Sequence, residues 1–183
     1  ANGLQVHGTI TKSAVATGAD LVGYSGFSAS NYLEQPYNSD LDFGTGDFSI
    51  MGWAKSADLS GTNRICGRAD SANASRISLY CSNGRVWFYT NTGSSFVYLS
   101  QAISNDRWHH IVATRTAGQM RISLNGVQVS TAATVYNLTS TLNASFVLGA
   151  ETFDLGVTIS NPFNGSLALW RISATAPTAE QIK

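Results

Sequence analysis

Three aspartates, Asp40, Asp42 and Asp47, lie close together in the segment "SDLDFGTGDFSIMGWAKS". A calcium loop of the EF-hand type needs oxygen ligands at alternate positions and a glutamate at the twelfth. Counted from Asp40, the fifth position is Gly44 and the twelfth is Met51, which cannot bind calcium. We therefore predict structural roles for these carboxylates. Asp40 and Asp42 are expected on the outward face of a strand, and Asp47 accepts backbone N–H bonds in the "GTGD" turn.

The acidic residues also offer little for catalysis. Retaining glycosidases need two carboxyl groups about 5 Å apart. The three glutamates of the chain, Glu34, Glu151 and Glu180, are scattered and form no Glu-x-Asp-x-Glu arrangement. A pair of aspartates remains open. We expect the protein not to be an enzyme and assign no catalytic residue, with glycoside hydrolysis kept as the second alternative function.

Metal binding has few candidate ligands in the sequence. His109 and His110 are neighbours on a predicted strand, so one imidazole faces inward and the other outward, and they cannot bind one metal together. Asp70 and Asp154 are the candidate ligands for calcium, which can support a loop. The sequence requires no cofactor.

The two cysteines, Cys66 and Cys81, flank the segment "GRADSANASRISLY", which predicts a hairpin near Asn73 and Ala74. Across such a hairpin the two thiols can face each other as a disulfide, or they can remain as free thiols in the core. Both alternatives stay open.

Charge and composition exclude several classes of function. The 183 residues include 11 basic and 11 acidic side chains, and only 12% of the residues are charged. This balance gives no electrostatic surface for nucleic acid. The sequence also lacks an apolar run of about 18 residues, so we expect no membrane insertion.

Alternation of apolar and polar residues with a period of two recurs along the chain, and turn residues interrupt it about every ten residues. The pattern predicts an all-β fold in which two antiparallel sheets pack as a sandwich. The four tryptophans and eight phenylalanines are expected to supply its core. Asn125-Gly126 predicts a tight turn, and Thr178 is expected to cap one short C-terminal helix.

We expect one domain over residues 1–183. Residues 1–30 have a weaker pattern and are either an edge strand or a lead-in from a preceding domain.

The hairpin "RVWFYTNTGSSFVYLS" has apolar residues on both faces, which a strand pair with one face in solvent does not need. A turn centred on Thr92-Gly93 places Tyr89 opposite Phe96 and Trp87 opposite Tyr98. These four aromatic residues, Trp87, Tyr89, Phe96 and Tyr98, are called the aromatic stripe and are the predicted ligand-binding residues. Sugar rings stack on such surfaces. Alternatively, residues 1–30 or a second subunit cover the stripe.

Three segments of the sequence resemble the laminin-G-like group of concanavalin-A-like jelly-roll domains. They read "YLEQPYNSDLDFGTGDFSIMGWAK", "DRWHHIVATRTAGQMRISLNGVQV" and "FNGSLALWRISATAPTAEQIK". The resemblance implies a jelly-roll sandwich over residues 32–183. The family often has an acidic residue three positions after the glycine of its last strand, and here that position is Ala168. The phrase "LWRISATAPTAEQI" is also similar to versions of the domain in bacteriophage virion proteins near tail structures.

We therefore expect a non-catalytic recognition module, which binds carbohydrate and belongs to an extracellular or virion-borne adhesion protein. Its expected partner is a glycan or a cell-surface polysaccharide. The first alternative is a structural domain of a phage virion or tail protein that packs against another copy of itself or against a neighbouring virion protein.

Overall fold

The computed structural model describes residues 3–70, 75–134, 136–152 and 158–183, and it is an all-β sandwich of two antiparallel sheets. The first sheet contains seven strands, in spatial order β1 (Gln5–His7), β4 (Tyr32–Gln35), β13 (Phe146–Leu148), β6 (Asn63–Arg68), β7 (Arg76–Ser82), β8 (Arg85–Asn91) and β9 (Phe96–Ala102). The second sheet also contains seven, in the order β12 (Val127–Ala133), β11 (Gln119–Leu124), β10 (His109–Thr116), β5 (Phe48–Ser56), β16 (Gly165–Ser173), β3 (Val22–Ser25) and β2 (Thr11–Ala14).

Three smaller elements complete the described structure. They are a two-stranded ribbon of β14 (Glu151–Thr152) and β15 (Ile159–Ser160), a 3₁₀ helix at Ser39–Leu41 and the C-terminal helix α1 (Ala179–Ile182). The predicted sandwich and its single short C-terminal helix are confirmed. Among the described residues, no helix is long and apolar enough to cross a membrane.

The predicted turns and helix cap form as expected. Asn125 and Gly126 both have positive φ, +50° and +83°, and join β11 to β12 as a two-residue hairpin turn. At α1, the Thr178 side chain accepts a hydrogen bond from the Gln181 backbone, while the Gln181 side chain accepts one from the Thr178 backbone. This reciprocal pair is the capping box predicted from the sequence.

Residues 3–30 contribute edge strands to both sheets. Strand β1 pairs with β4 at the far edge of the first sheet from β9, and β2 and β3 form the edge of the second sheet. None of these three strands lies beside the aromatic stripe, so the described part of this segment does not cover it.

The core between the sheets is built from aliphatic residues and phenylalanines rather than from tryptophans. Phe48 and Phe88 are fully buried, with ring centroids 6.3 Å apart. All four tryptophans lie outside the fully buried core, and Trp53 is 38% exposed. The expectation that tryptophans fill the core is therefore wrong, because the aliphatic side chains on the inner faces already fill the space between the sheets.

A bulge in β16 gives Trp170 a specific place. The register between β16 and β5 shifts between Ala168 and Arg171, where Leu169 adopts a φ of +54°. The Trp170 indole then lies over Gly52 and donates a hydrogen bond of 2.9 Å to the Trp53 carbonyl. A β-carbon at position 52 would lie 2.5 Å from Cδ2 of the Trp170 indole, so the position requires glycine.

The segment with the three aspartates is anchored by two buried arginines. Arg68 donates to the carbonyls of Leu41 and Leu138, and Arg115 donates to Gly44 at 2.7 Å and to Tyr136 at 3.1 Å. Both guanidinium groups are buried. They donate hydrogen bonds to loop carbonyl groups that would otherwise lack a backbone N–H partner. The loops that end the sandwich are thereby fixed to its core.

The three carboxylates have structural roles, although not all in the predicted form. Asp40 lies in the 3₁₀ helix, which Asn38 caps by accepting from the Asp40 N–H, so the predicted strand at Asp40 and Asp42 is wrong. Asp42 is not outward-facing, because its carboxylate lies 3.3 Å from Arg68 and pairs with that buried charge. Asp47 accepts a backbone hydrogen bond as expected, but the donor is Ala117, at 2.9 Å, in the turn between β10 and β11 rather than a residue of its own turn.

The two cysteines are free and buried. Cys66 pairs across the sheet with Leu79, whereas Cys81 pairs with Asn63, so the thiols are not opposite each other. Strands β6 and β7 pair antiparallel, as the predicted hairpin requires, and its turn near Asn73 and Ala74 lies outside the described residues. Burial raises the pKa of the Cys66 thiol and raises that of Cys81 to about 12.

Replacing Gly52 with alanine is expected to destabilise the protein by about 1–3 kcal/mol, because the new methyl group overlaps the Trp170 indole. Urea unfolding measured by circular dichroism tests this. Gly61→Ala is the matched control, since a β-carbon there meets nothing within 4 Å, and its change should stay within about 0.5 kcal/mol. Equal effects of the two substitutions would contradict the packing described for Trp170.

Both thiols should resist iodoacetamide in the native protein at mildly alkaline pH, since their raised pKa values keep them protonated and the core excludes the reagent. After unfolding in guanidinium without reductant, mass spectrometry should show that both cysteines are labelled. A chain that takes up no label after unfolding would contain a disulfide and contradict the described arrangement.

Candidate functional site

The four residues of the aromatic stripe share the outer face of the first sheet, as predicted. Strand register places Tyr89 opposite Tyr98, Asn91 opposite Phe96 and Trp87 opposite Ser100. The predicted pairs Tyr89–Phe96 and Trp87–Tyr98 are therefore wrong by two residues. Because side chains alternate with a period of two, a two-residue change alters the partners but leaves each side chain on its face.

The turn explains the different register. The strands are joined by the four residues Thr92–Ser95, rather than by a turn centred on Thr92-Gly93. The Thr92 N–H donates to the Ser95 carbonyl at 3.0 Å, and the Asn91 side chain accepts from the Gly93 N–H at 2.5 Å. These local bonds stabilise the longer loop.

The stripe has an exposed end and a supporting end. Phe96 is 65% exposed and Tyr98 is 49% exposed, whereas Tyr89 is 6% exposed and Trp87 is half-buried. The Tyr89 and Tyr98 rings stack with centroids 4.4 Å apart, and Phe96 meets Tyr98 edge-on at 5.5 Å. Phe96 and Tyr98 are thus the rings available to a ligand, and Tyr89 supports them from below.

Tyr80 extends the stripe, although it is absent from the ligand-binding residues predicted from the sequence. It lies opposite Trp87 on the neighbouring strand β7, and the two rings are nearly parallel with centroids 6.1 Å apart. The alternation in "RISLYC" places Tyr80 on the face opposite Ile77 and Leu79. This signal was sufficient to add Tyr80 to the stripe.

A buried ionic centre lies beside the aromatic residues. The fully buried Glu151 carboxylate accepts two hydrogen bonds from Arg76, at 2.9 Å from Nε and 2.8 Å from Nη2. Arg64 Nε lies 2.8 Å from the same carboxylate. Gly67 permits the approach, since a β-carbon there would be 3.0 Å from Glu151 Oε1. We call Arg64, Arg76 and Glu151 the ionic centre.

The ionic centre and the stripe are in direct contact. The Arg64 guanidinium lies 4.2 Å from the Tyr80 ring centroid, and the Arg76 guanidinium lies 5.0 Å from that of Tyr89. Cations at these distances are attracted to the faces of aromatic rings. Glu151 holds each guanidinium group in place, and each guanidinium group orients one tyrosine ring.

Burial dominates the electrostatics of this region. It lowers the pKa of Arg64, and the Glu151 carboxylate acts in the opposite direction. Burial raises the pKa of Tyr80, which Arg64 opposes, and it raises the pKa of Tyr98, to which Tyr89 adds. The tyrosines are consequently neutral hydroxyl groups at physiological pH and can donate or accept hydrogen bonds.

The described carboxylates do not converge at the stripe. Glu34 pairs with His7 at 2.7 Å, Glu151 is bound to arginines, and Glu180 lies in α1 at the end of the chain. Strands β6–β9 contain no acidic residue. Within the part of the chain that the structure describes, the stripe therefore lacks the two carboxyl groups that sugar hydrolysis needs.

Of the two candidate metal ligands, Asp70 lies among the described residues and is bonded to protein partners. Asp70 is buried and accepts hydrogen bonds from the Ser140 hydroxyl and from the Thr141 N–H, the latter at 2.6 Å. Asp154 lies outside the described residues. The described residues contain no group of three histidines, cysteines or acidic residues that could hold a metal ion.

The two adjacent histidines face in opposite directions, as predicted. His109 is buried, with Nε2 3.2 Å from the Ser104 carbonyl, and His110 stacks on Trp53 at 5.1 Å. Burial lowers the pKa of His110, and the nearby Arg171 adds to this effect.

Two concave sites lie elsewhere on the protein. A cleft of about 650 Å³ opens beside Trp170, and its lining combines apolar side chains such as Ile50 and Leu148 with the polar residues Gln35, Asn38, Asp40 and Arg171. A second cavity of about 360 Å³ contains Phe27 and Phe163, both of which are buried. The stripe differs from both cavities in the exposure of its rings, since Phe96 and Tyr98 are largely exposed whereas Trp170, Phe27 and Phe163 are not.

Comparisons with solved structures find the same fold in bacterial proteins. Domain 4 of AbnA, a GH43 extracellular arabinanase from Geobacillus stearothermophilus solved in complex with arabinotriose, superposes with a TM-score of 0.74 at 20% identity, covering 98% of this chain and 85% of that one. The botulinum neurotoxin serotype G binding domain superposes with a TM-score of 0.73 at 10% identity, covering 98% of this chain and 45% of that one.

A structure of botulinum neurotoxin type C, whose cell entry is described as dependent on two ganglioside molecules, superposes with a TM-score of 0.70 at 15% identity. The match covers 98% of this chain and 44% of the toxin chain. The present chain therefore spans less than half the length of both toxin structures. At these identities the likeness shows the fold alone.

No curated protein sequence matches the chain significantly. The sequence profile Laminin_G_3, described as the concanavalin A-like lectin/glucanases superfamily, matches residues 27–183. Together with the two packed antiparallel sheets, this match shows that the chain belongs to the concanavalin A-like lectin/glucanases superfamily.

Proposed function

We propose that the protein is a non-catalytic carbohydrate-recognition module and that the aromatic stripe is its binding surface. The observation that carries the proposal is the exposure of Phe96 and Tyr98 on a rigid sheet face, next to polar groups. An isolated exposed ring is common on protein surfaces, but a contiguous set of stacked rings is typical of an interaction site. Sugar C–H groups pack against ring faces, while hydroxyl groups bond to nearby polar side chains.

Polar partners for sugar hydroxyl groups lie on the same face. Ser100 shares the outer face with the stripe, and Arg85 donates to its hydroxyl at 3.0 Å, whereas the Asn91 side chain is buried and bonded to Tyr89 and Gly93. The Tyr98 hydroxyl adds a group that can donate and accept. Because the surface is shallow, each site should bind weakly, and several copies on one assembly would raise the overall affinity.

The arabinanase domain supports this proposal, because it shares the fold and its structure contains arabinotriose. The ganglioside interaction described for the neurotoxin belongs to a chain more than twice as long and is not carried over. An extracellular or virion-borne location for the present chain remains a prediction, as does the resemblance to bacteriophage tail proteins.

The exposed rings also favour a second candidate function. Phe96 and Tyr98 form an apolar surface that another copy of the chain, or a neighbouring virion protein, can cover. Assembly and glycan binding differ in their dependence on protein concentration. Light scattering over a concentration series therefore separates them.

Phe96→Ala and Tyr98→Ala should each weaken glycan binding about 2- to 12-fold, because one ring contact of roughly 0.5–1.5 kcal/mol is lost. A glycan array that includes arabinotriose identifies the ligand, with and without a calcium chelator. Calorimetry then measures the affinities. Both side chains are largely exposed, so the melting temperature should change little.

Val127→Ala is the matched control, since Val127 is 62% exposed on β12 of the other sheet. Its affinity should equal that of the unmodified protein. Glycan binding that is unaffected by the loss of both rings would refute the stripe as the site. Concentration-dependent association that Phe96→Ala abolishes, without any glycan binding, would favour the assembly function.

A further inference from the structure

The cleft beside Trp170 enters the sandwich between its two sheets. Its walls come from β4, β6 and β13 of the first sheet and from β5 and β16 of the second. Ile50, Cys66 and Phe146 line the cleft and are all buried, so it reaches the hydrophobic core. Its volume of about 650 Å³ lies within the range of sites that bind small molecules.

The bulge in β16 places an aromatic ring in this cleft. In a regular strand Leu169 would lie opposite Gly52 and share the inner face with the buried Leu167. The extra residue changes this arrangement, because Leu169 is 60% exposed and the Trp170 indole covers Gly52 instead. Leu169 has a positive φ, which is strained for a residue other than glycine, and such strain is often found where a protein holds a ligand.

The Trp170 ring is fixed in position before any ligand arrives. A β-carbon at position 52 would lie 2.5–2.7 Å from three atoms of the indole, so the ring packs directly on Gly52. The indole N–H is fixed by its hydrogen bond to the Trp53 carbonyl, and the ring contributes to the lining of the cleft. A ring that is already ordered loses little further freedom when a ligand packs against it.

The lining favours a ligand that has an apolar group and a neutral polar head. Its inner part is apolar and buried, whereas Leu4, Asp40, Arg171 and Ala174 are exposed and form what we call the mouth of the cleft. Among the described residues, the lining contains one acidic and one basic side chain, so it favours no net charge on the ligand. An apolar group gains free energy by entering the inner part, and a polar head avoids desolvation by staying at the mouth.

We propose that the cleft binds a small neutral amphiphile. The apolar group of this ligand lies between the sheets against Trp170, and its hydroxyl or amide head stays at the mouth beside Asp40 and Arg171. The site is separate from the aromatic stripe, because the stripe lies on the outer face of the first sheet and the cleft is bounded by inner faces. The inference therefore does not depend on carbohydrate binding at the stripe.

A series of 1,2-alkanediols measures the contribution of the apolar group. Butane-1,2-diol, hexane-1,2-diol and octane-1,2-diol have the same neutral head and differ only in the alkyl chain. Each methylene group that enters the cleft should tighten binding about 2- to 4-fold. Octanoate and octylamine should bind no more tightly than octane-1,2-diol, because the lining favours neither charge.

NMR of the indole N–H groups locates the bound diol. Octane-1,2-diol should shift the signal of the Trp170 indole N–H, which the variant Trp170→Phe identifies by its loss. The signals of Trp87 and Trp108 should stay in place. Their indole N–H groups donate to the carbonyls of Ser82 and Val15, and neither tryptophan lines the cleft.

Two substitutions at the mouth test the site, with the melting temperature measured for each. Ala174→Phe narrows the cleft from the second sheet and should weaken octane-1,2-diol about 5-fold or more. Leu4→Ser removes an apolar side chain that is 56% exposed and should weaken it about 2- to 4-fold. Ala102→Phe is the matched control, since Ala102 is also exposed but lies on β9, at the opposite edge of the first sheet from β1.

The outcomes decide the proposal in either direction. Affinity that rises with chain length, a shift at Trp170 and weaker binding by the two mouth variants support it. Affinity that is independent of chain length overturns it, and so does a diol that shifts all four indole signals alike or leaves the Trp170 signal unchanged. Equal binding by both mouth variants and the control also overturns it. Unchanged binding of octane-1,2-diol by Phe96→Ala supports a site separate from the stripe.

Discussion

The burial of alternate side chains between the two sheets is the constraint on which the site depends. Phe88 and Leu99 face each other on paired strands and are sealed in the core, so their sequence neighbours must face outward. Only an odd shift in register would exchange the two faces, and such a shift would expose the core residues to water. The hydrophobic effect thus fixes the composition of the outer surface without any contact among the outer side chains themselves.

This constraint explains which part of the site the sequence could predict. Alternation alone assigned Trp87, Tyr89, Phe96 and Tyr98 to one face, and the structure places them there. It could not assign partners, because a turn of two residues and a loop of four preserve the same alternation. Hydrogen bonds around Asn91 and Ser95 decide between them, and several residues of this loop are compatible with either turn.

The contacts of the ionic centre and of the anchored loops could not be predicted from the sequence alternation, for a different reason. Glu151 is 75 residues from Arg76 in sequence, and β14 does not belong to either large sheet. Likewise, Asp42 is the partner of a buried arginine only because two distant loops meet at Arg68. Periodicity describes faces within an element, whereas these contacts join elements whose spatial order the sequence does not specify. The available signal was Arg64 and Arg76 on strands otherwise rich in apolar residues.

Stability alone does not require the ionic centre. Removing two guanidinium groups and a carboxylate from water has a large desolvation cost, and well-packed apolar residues can often replace such groups without loss of stability. The charges fix the orientation of the arginine side chains, because each guanidinium group contacts both Glu151 and the face of a tyrosine ring. Tyr89, held in this way, stacks on the exposed Tyr98 ring and limits its freedom, which would lower the entropy cost of binding a ligand there. Apolar replacements would remove the contacts that orient the rings of Tyr80 and Tyr89, so the ionic centre is best explained by the positioning of these rings.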